Sequence, residues 1–279
     1  MLEITKYQVI FKIVKPVIFT TYPGFYLRNA LVKALVRFCK NQNRIKNQKI
    51  TNCHGCKHQP GCPYFALNLP VEEPVAEPLP MSFILNVDHL IIGKYESGYL
   101  TFDIILFGNA ARYAEQLGES FRDVGNIFGL GENGISGNIS FISMRQKIKT
   151  GLSPIVIENY QKTDAATLVF KHLKLSDQAM RMPFELPIEG LIKSISSRFL
   201  KLELLYGNGI TNSNSIHSAE FNPSTQQCEN LLSKCNYQYA GSKQGHYFLS
   251  GSVIFSGEIM RSLPMLHVGS RIGIGRFTS

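Results

Sequence analysis

The apolar positions of the chain group into short runs whose spacing predicts alternating strands and helices. Residues 6–14 (KYQVIFKIV) are rich in β-branched and aromatic residues and read as a first strand. Pro16 and the Pro23-Gly24 pair then punctuate a connection. Over 25–40, Leu27, Ala30, Leu31, Ala34, Leu35 and Phe38 recur at helical spacing, while Asn29, Lys33, Arg37 and Lys40 fall on a separate line. One face of this helix should pack on a sheet and the other should present cations. Residues 41–64 are too long for an ordinary connection, and such loops are usually functional, metal-clipped or disordered. Residues 70–80 hold four prolines and three glutamates and predict a linker or an extended strap. Strands are expected at 81–88 and 98–107, a second helix at 109–117 and a fourth strand at 137–144. The order β-α-β-β-α-β is the ferredoxin-like arrangement.

The second half repeats this order less plainly. Residues 165–175 predict a strand, and 187–206 a helix with Leu191, Ile195, Phe199 and Leu202 on one face. A loop rich in Asn and Ser covers 207–223. Further strands are expected at 248–255 and in part of 257–268, before a glycine-rich turn at the end. The expected fold class is therefore α+β, with two tandem ferredoxin-like, RRM-like domains whose sheets would leave a central cleft, a common place for an extended polymer such as RNA to lie. The first is 1–150 with its inserted Cys-rich loop at 41–64. The second is 151–279, and the boundary falls near 149–162.

Charge placement changes the picture more than the total of +9. Residues 4–71 contain eleven Lys or Arg and no Asp or Glu, residues 72–140 contain three basic and ten acidic groups, and residues 141–279 contain fifteen and nine. A positive block beside a negative one is a directed electrostatic footprint for phosphates or an acidic membrane. No apolar run approaches the roughly 20 residues of a membrane span, and no short apolar leader opens the chain. A cytoplasmic protein with no membrane association is expected.

Four of the six cysteines crowd together as Cys39-x13-Cys53-x2-Cys56-x5-Cys62, with His54 and His58 nearby. A CxxC pair with two further thiols suits tetrahedral structural zinc, and four thiolates would leave no open catalytic position. The spacing is looser than in a standard zinc ribbon, so the other reading leaves Cys39 simply buried at the helix end. Gly129-Leu-Gly131-Glu-Asn-Gly134 has the letters of a dinucleotide-binding fingerprint. Its context is reversed, because a helix or loop precedes it and a strand follows. It predicts a glycine loop before an edge strand. The run from His267 through Gly269, Arg271, Gly273 and Gly275 to Arg276 could bring backbone N–H groups and guanidinium groups to a phosphate. A bulged terminal strand would use the same glycines for packing alone. Arg198 follows the apolar face of its helix and on spacing alone is a solvated cation. None of the seven histidines falls in a Ser-His-Asp ordering.

Several separated pieces carry a family resemblance. They are Leu27-Arg28-Asn29-Ala30-Leu31, the cysteines ending in Cys62-Pro63-Tyr64, Phe128-Gly129-Leu130-Gly131, and the segment from Ser197-Arg198 to Tyr206-Gly207. Tyr239-Ala-Gly-Ser242-Lys243-Gln244, Leu263-Pro-Met-Leu-His267-Val-Gly269 and Gly273-Ile-Gly275-Arg276-Phe277 complete them. In this order they resemble the CRISPR precursor-RNA processing endoribonucleases of the RAMP superfamily, over nearly the whole chain. The resemblance implies a metal-independent nuclease without a catalytic cofactor. In such enzymes a 2′-hydroxyl attacks the adjacent phosphate, leaving a 2′,3′-cyclic phosphate and a 5′-hydroxyl. It implies CRISPR repeat RNA as partner, and CRISPR effector-complex subunits after cleavage.

That chemistry needs a base, a proton donor and cations on the phosphorane. Tyr22, His54 and Lys33 are the candidates, with His267 as an alternative acid or base. Arg28, Arg37, Lys40, Arg198, Lys243, Gly269, Arg271, Gly273, Gly275 and Arg276 are the candidate RNA contacts. The chain departs from the family in having no histidine before His54 and in placing Lys243 where arginine is usual. A non-catalytic RAMP subunit that only holds guide RNA is the alternative. A zinc-clipped RNA-binding module outside CRISPR is a third reading, resting on charge and cysteines alone.

Overall fold

The computed structural model describes residues 2–42, 61–68, 81–132, 134–152, 165–173, 188–207, 226–230, 233–238, 245–257 and 263–272. The chain divides into two compact units, Glu3–Thr150 and Gly151–Thr278.

In the first unit the order is β1 (Leu2–Ile13), β2 (Val17–Phe19), α1 (Pro23–Gln42), α2 (Pro63–Asn68), β3 (Phe83–Asn86), β4 (Gly93–Tyr95), β5 (Tyr99–Phe107), α3 (Ala114–Asp123) and β6 (Ile139–Leu152). The main sheet runs β3-β5-β1-β6. With the first and last strands of the motif adjacent and its third beside the first, this is the ferredoxin-like order. In β1, Val9, Phe11 and Ile13 are buried while Lys12 is exposed, the alternation of a half-buried strand. Antiparallel pairing sets Phe11 opposite Leu100 and Val9 opposite Phe102, so these four share the face toward the helices. There the Phe11 ring stacks on Phe102 at 6.1 Å and meets Phe121 of α3 edge-on. Pro23 starts α1, where its missing N–H costs nothing. The buried stripe Leu27, Ala30, Leu31, Ala34 and Leu35 holds that helix against the protein.

The second helical stretch is longer than the pattern predicts. A 3-10 turn over Gly108–Tyr113 leads into α3, and a π turn over Val124–Phe128 follows it. β2 and β4 pair with each other in a small separate ribbon.

The second unit contains β7 (Ala165–Leu173), α4 (Ile188–Tyr206), β8 (Gln226–Asn230), β9 (Ser233–Gln238), β10 (Gly245–Ser256) and α5 (Leu263–Ile272). β10 lies between β7 on one side and β8 and β9 on the other. One expectation is corrected here: the strand in part of 257–268 and the start of the glycine-rich turn are instead the helix α5. Met265, Leu266, Val268, Gly269 and Ile272 are buried at helical spacing, which a strand cannot achieve with the same residues. A Cβ on Gly269 would lie 2.6 Å from Cδ1 of Ile195, so this glycine lets α5 approach α4. The expected loop at 41–64 lies outside the described residues except at its two ends, as does the whole of 70–80.

Candidate nucleic-acid interface

On α1, Asn29, Lys33 and Arg37 are exposed and one turn apart, so they form a continuous line on the face opposite the buried stripe. Lys33 extends into solvent. Arg37 is shared with the protein itself, since its Nε lies 3.3 Å from the Asp123 carboxylate of α3. Both partners are substantially exposed, so this ion pair is weak and open to competition from a phosphate. Arg28 is half-buried on the same helix. The Lys40 backbone belongs to the last turn of α1.

The start of α1 has a different chemistry. Thr20, Thr21, Tyr22 and Tyr26 gather four hydroxyl-bearing side chains around it. The Thr20 and Tyr26 hydroxyls are 2.7 Å apart, and Thr21 Oγ1 is buried without a hydrogen-bond partner. Tyr22 is only 7% exposed, its ring edge-on to Phe25 at 5.4 Å. Ten helical residues separate the first turn from Lys33, about 15 Å of axial rise. Tyr22 and Lys33 are therefore not brought to one phosphate. Of the other catalytic candidates, His54 lies outside the described residues and His267 is exposed on α5 of the second unit.

The glycine loop supports this end of the unit. Gly129 and Gly131 have φ of 67° and 88°, where only glycine is at ease. Asn138 clamps the loop from within: its Nδ2 donates to the Leu130 carbonyl at 2.6 Å, and its Oδ1 accepts from the Leu130 N–H at 3.0 Å. The Glu132 N–H donates to the Ile18 carbonyl at 2.8 Å, which ties the loop to β2 just before the hydroxyl cluster. A π turn precedes the loop and the edge strand β6 follows it. The arrangement is a structural loop with no strand-to-helix turn for a dinucleotide.

A group not singled out from the sequence lies on the sheet face away from the helices. Lys12 and Tyr99 are directly paired across β1 and β5, and Tyr99 is 65% exposed. An exposed aromatic beside a cation is a stacking place for an unpaired base. The signal was present in the alternation of β1, which puts Lys12 opposite in facing to Phe11. What it lacked was the register that sets Tyr99 beside it. Farther along the same face, Lys6 pairs with Asp103 at 2.7 Å.

In the second unit Arg198 is half-buried and its Nε donates to the Ile272 carbonyl at 2.9 Å. Burial lowers its pKa to about 10, so it keeps its charge at neutral pH. Burial also raises Tyr206 to about 12, with the Arg198 charge opposing that shift. Arg198 thus ties α4 to the end of α5. Arg198→Met is expected to cost about 2 kcal/mol in denaturant unfolding while leaving RNA affinity within twofold; a loss of affinity in a fully folded variant would mark it as an RNA contact. Arg271 is exposed on α5 and Gly269 is buried there, whereas Lys243, Gly273, Gly275 and Arg276 lie outside the described residues.

A family model described as AF_1859_N, an N-terminal domain, matches residues 2–167. The chain belongs to this family. No curated protein matches the sequence significantly. Among solved structures, the chain is similar to a Cas6 (TTHB231) product complex, with 14% identity and a TM-score of 0.52 over 99% of this chain and 96% of that one. It is similar also to Thermus thermophilus Cas6 (TTHB231), at 13% identity and a TM-score of 0.52, over 100% of this chain and 95% of that one. At these identities the likeness shows the fold. The AF_1859_N-family chain is thus a mixed α/β protein with antiparallel sheets of the Cas6 type. Among the described residues no helix is long and apolar enough to cross a membrane.

Proposed function

We propose that this protein binds CRISPR repeat RNA and cleaves it without a metal ion, by attack of a 2′-hydroxyl on the adjacent phosphate. The observation that carries this reading is a carboxylate-free block of eleven cations, residues 4–71, displayed partly as an exposed line on α1 of a Cas6-type fold. Phosphates meeting Lys33 and Arg37 would hold the RNA along α1, and Lys12 with Tyr99 would take an unpaired base. The reacting phosphate belongs at the start of α1, where hydroxyl groups cluster. There Tyr22 would exchange a proton with the 2′-oxygen or the departing 5′-oxygen, and His54 would serve the other. Lys33, a distance along the helix, would contact a neighbouring phosphate instead of the reacting one. The product would stay bound and pass to a CRISPR effector complex in the cytoplasm.

The test is incubation of the purified protein with a cognate repeat transcript in excess EDTA. Cutting at one position, with a 2′,3′-cyclic phosphate on one product and a 5′-hydroxyl on the other, is expected. Cutting that stops in EDTA and returns with magnesium would contradict the mechanism. Two observations favour a second reading, in which the protein holds guide RNA and does not cut. Tyr22 is buried, and α1 contains no histidine. Tight repeat binding without any cleavage would decide for that reading.

A further inference from the structure

The last strand of the first unit, β6, carries Arg145, Lys147 and Lys149 at alternate positions, all of them exposed. Two contacts fix the way they face. Phe141 meets the Phe11 ring edge-on at 5.8 Å, and Lys149 Nζ lies 3.3 Å from the Glu3 carboxylate. Phe11 and Glu3 belong to β1, the neighbouring strand, and share one face of it because an even number of residues separates them. The strand is continuous from Phe141 to Lys149, so Arg145 and Lys147 stand on that same face. With a rise of about 3.3 Å per residue, successive cations of the row are about 6.6 Å apart. Arg122 of α3 begins the row, its guanidinium carbon 5.7 Å from the centroid of the Phe141 ring. Arg122 directly precedes Asp123, the partner of Arg37, so the row starts beside the line of cations on α1.

We propose that Arg145, Lys147 and Lys149 form a phosphate track on β6 that carries a single-stranded stretch of the RNA onward from α1 along the edge of the sheet. The proposal rests on the RNA-binding reading above and adds a site to it. Like charges in a row repel one another, and here little offsets the repulsion. Among the described residues the only ion pair made by Arg122, Arg145, Lys147 or Lys149 is the one to Glu3, and both of its partners are substantially exposed. A chain of regularly repeated negative charge relieves that repulsion, and the spacing of the row is comparable with that of successive phosphates along an extended single strand. Among the described residues β6 is the outermost strand of its sheet, with β1 on its inner side, so the strand is approachable from its edge. Contacts of this kind position the RNA and do not read its sequence.

The test measures binding of a fluorescent single-stranded repeat RNA across a salt series, with the full-length protein. Arg145→Gln/Lys147→Gln should lose about tenfold in affinity at low salt and lower the salt slope by about 1.4, two contacts at about 0.7 each. Lys94→Gln/Lys193→Gln removes the same charge from exposed lysines that already pair with Glu96 and Glu189, and should stay within twofold of wild type with an unchanged slope. Equal losses in the two double variants would overturn the proposal, because net charge alone would then account for the effect. An unchanged slope in Arg145→Gln/Lys147→Gln, while the α1 variants still lower it, would overturn the track and leave the RNA-binding reading standing. Absence of RNA binding by the wild-type protein would overturn both. Should the β6 variant fail to fold, acetylation of the wild-type lysines, read by mass spectrometry, replaces it. Bound RNA should slow modification of Lys147 and Lys149 at least threefold and leave Lys94 and Lys193 unchanged. No protection by RNA, or protection by poly-glutamate of matched charge and not by RNA, would overturn the proposal, the latter in favour of an acidic protein partner.

Discussion

Gly129→Ala is expected to destabilise the protein by about 4 kcal/mol, enough to be among the exceptional single substitutions. Two penalties combine. The residue sits at φ 67°, and an added Cβ would fall 2.0 Å from the Ile135 carbonyl oxygen, which belongs to backbone and cannot rotate away. Relief requires opening the loop that Asn138 clamps and that holds β2 through Ile18. Because β2 leads straight into Thr20, Thr21 and Tyr22, the variant should also lose RNA cleavage before it loses all of its structure. The matched control is Gly118→Ala in α3, where an added Cβ meets nothing within 4 Å. There the better helix propensity should leave stability equal or raise it by about 0.5–1 kcal/mol. Urea unfolding of the three proteins checks this. Equal midpoints for Gly129→Ala and wild type would mean that the loop is not the rigid support described.

Removing Lys33, Arg37 and Lys40 together should weaken RNA binding roughly a hundredfold at low salt and lower the salt slope, −d log K/d log[salt], by about 2. Each phosphate contact to a single strand contributes about 0.7 to that slope. The three should not contribute equally. Arg37 already faces Asp123, so part of what it gains from a phosphate is offset by giving up that partner. Lys33→Ala alone should therefore lower affinity more than Arg37→Ala. Fluorescence anisotropy across a salt series measures both quantities. An unchanged slope in the triple variant would mean that the line on α1 is only a solvated face.

Elements with long regular patterns were legible from the sequence. The apolar stripe of α1 and the β-rich runs of β1 and β5 each have one dominant period, and burial follows it. Short or mixed elements were not. β2 and β4 are three residues each, too short to show any period, and only their mutual pairing makes them strands. The helix α5 was hidden by composition, because glycines that pack a helix closely look the same in sequence as glycines that open a turn. At the interface, the cations of α1 could be placed by spacing alone. The pairing of Arg37 with Asp123 and the hold of Arg198 on Ile272 could not, since both depend on residues far along the chain. Of the four cysteines crowded in sequence, Cys39 and Cys62 have their sulfurs 3.5 Å apart, while Cys53 and Cys56 lie outside the described residues. The register that sets Tyr99 beside Lys12 needed the sheet itself.

The central claim is that a ribose hydroxyl of the RNA performs the attack while the protein supplies position and protons. It is tested most directly with two repeat RNAs that differ only in a 2′-deoxy substitution at the nucleotide preceding the cut. Both should bind with affinities within a few fold, and only the all-ribose RNA should be cleaved, in EDTA and without added metal. Cleavage of the deoxy RNA at the same position would contradict the account.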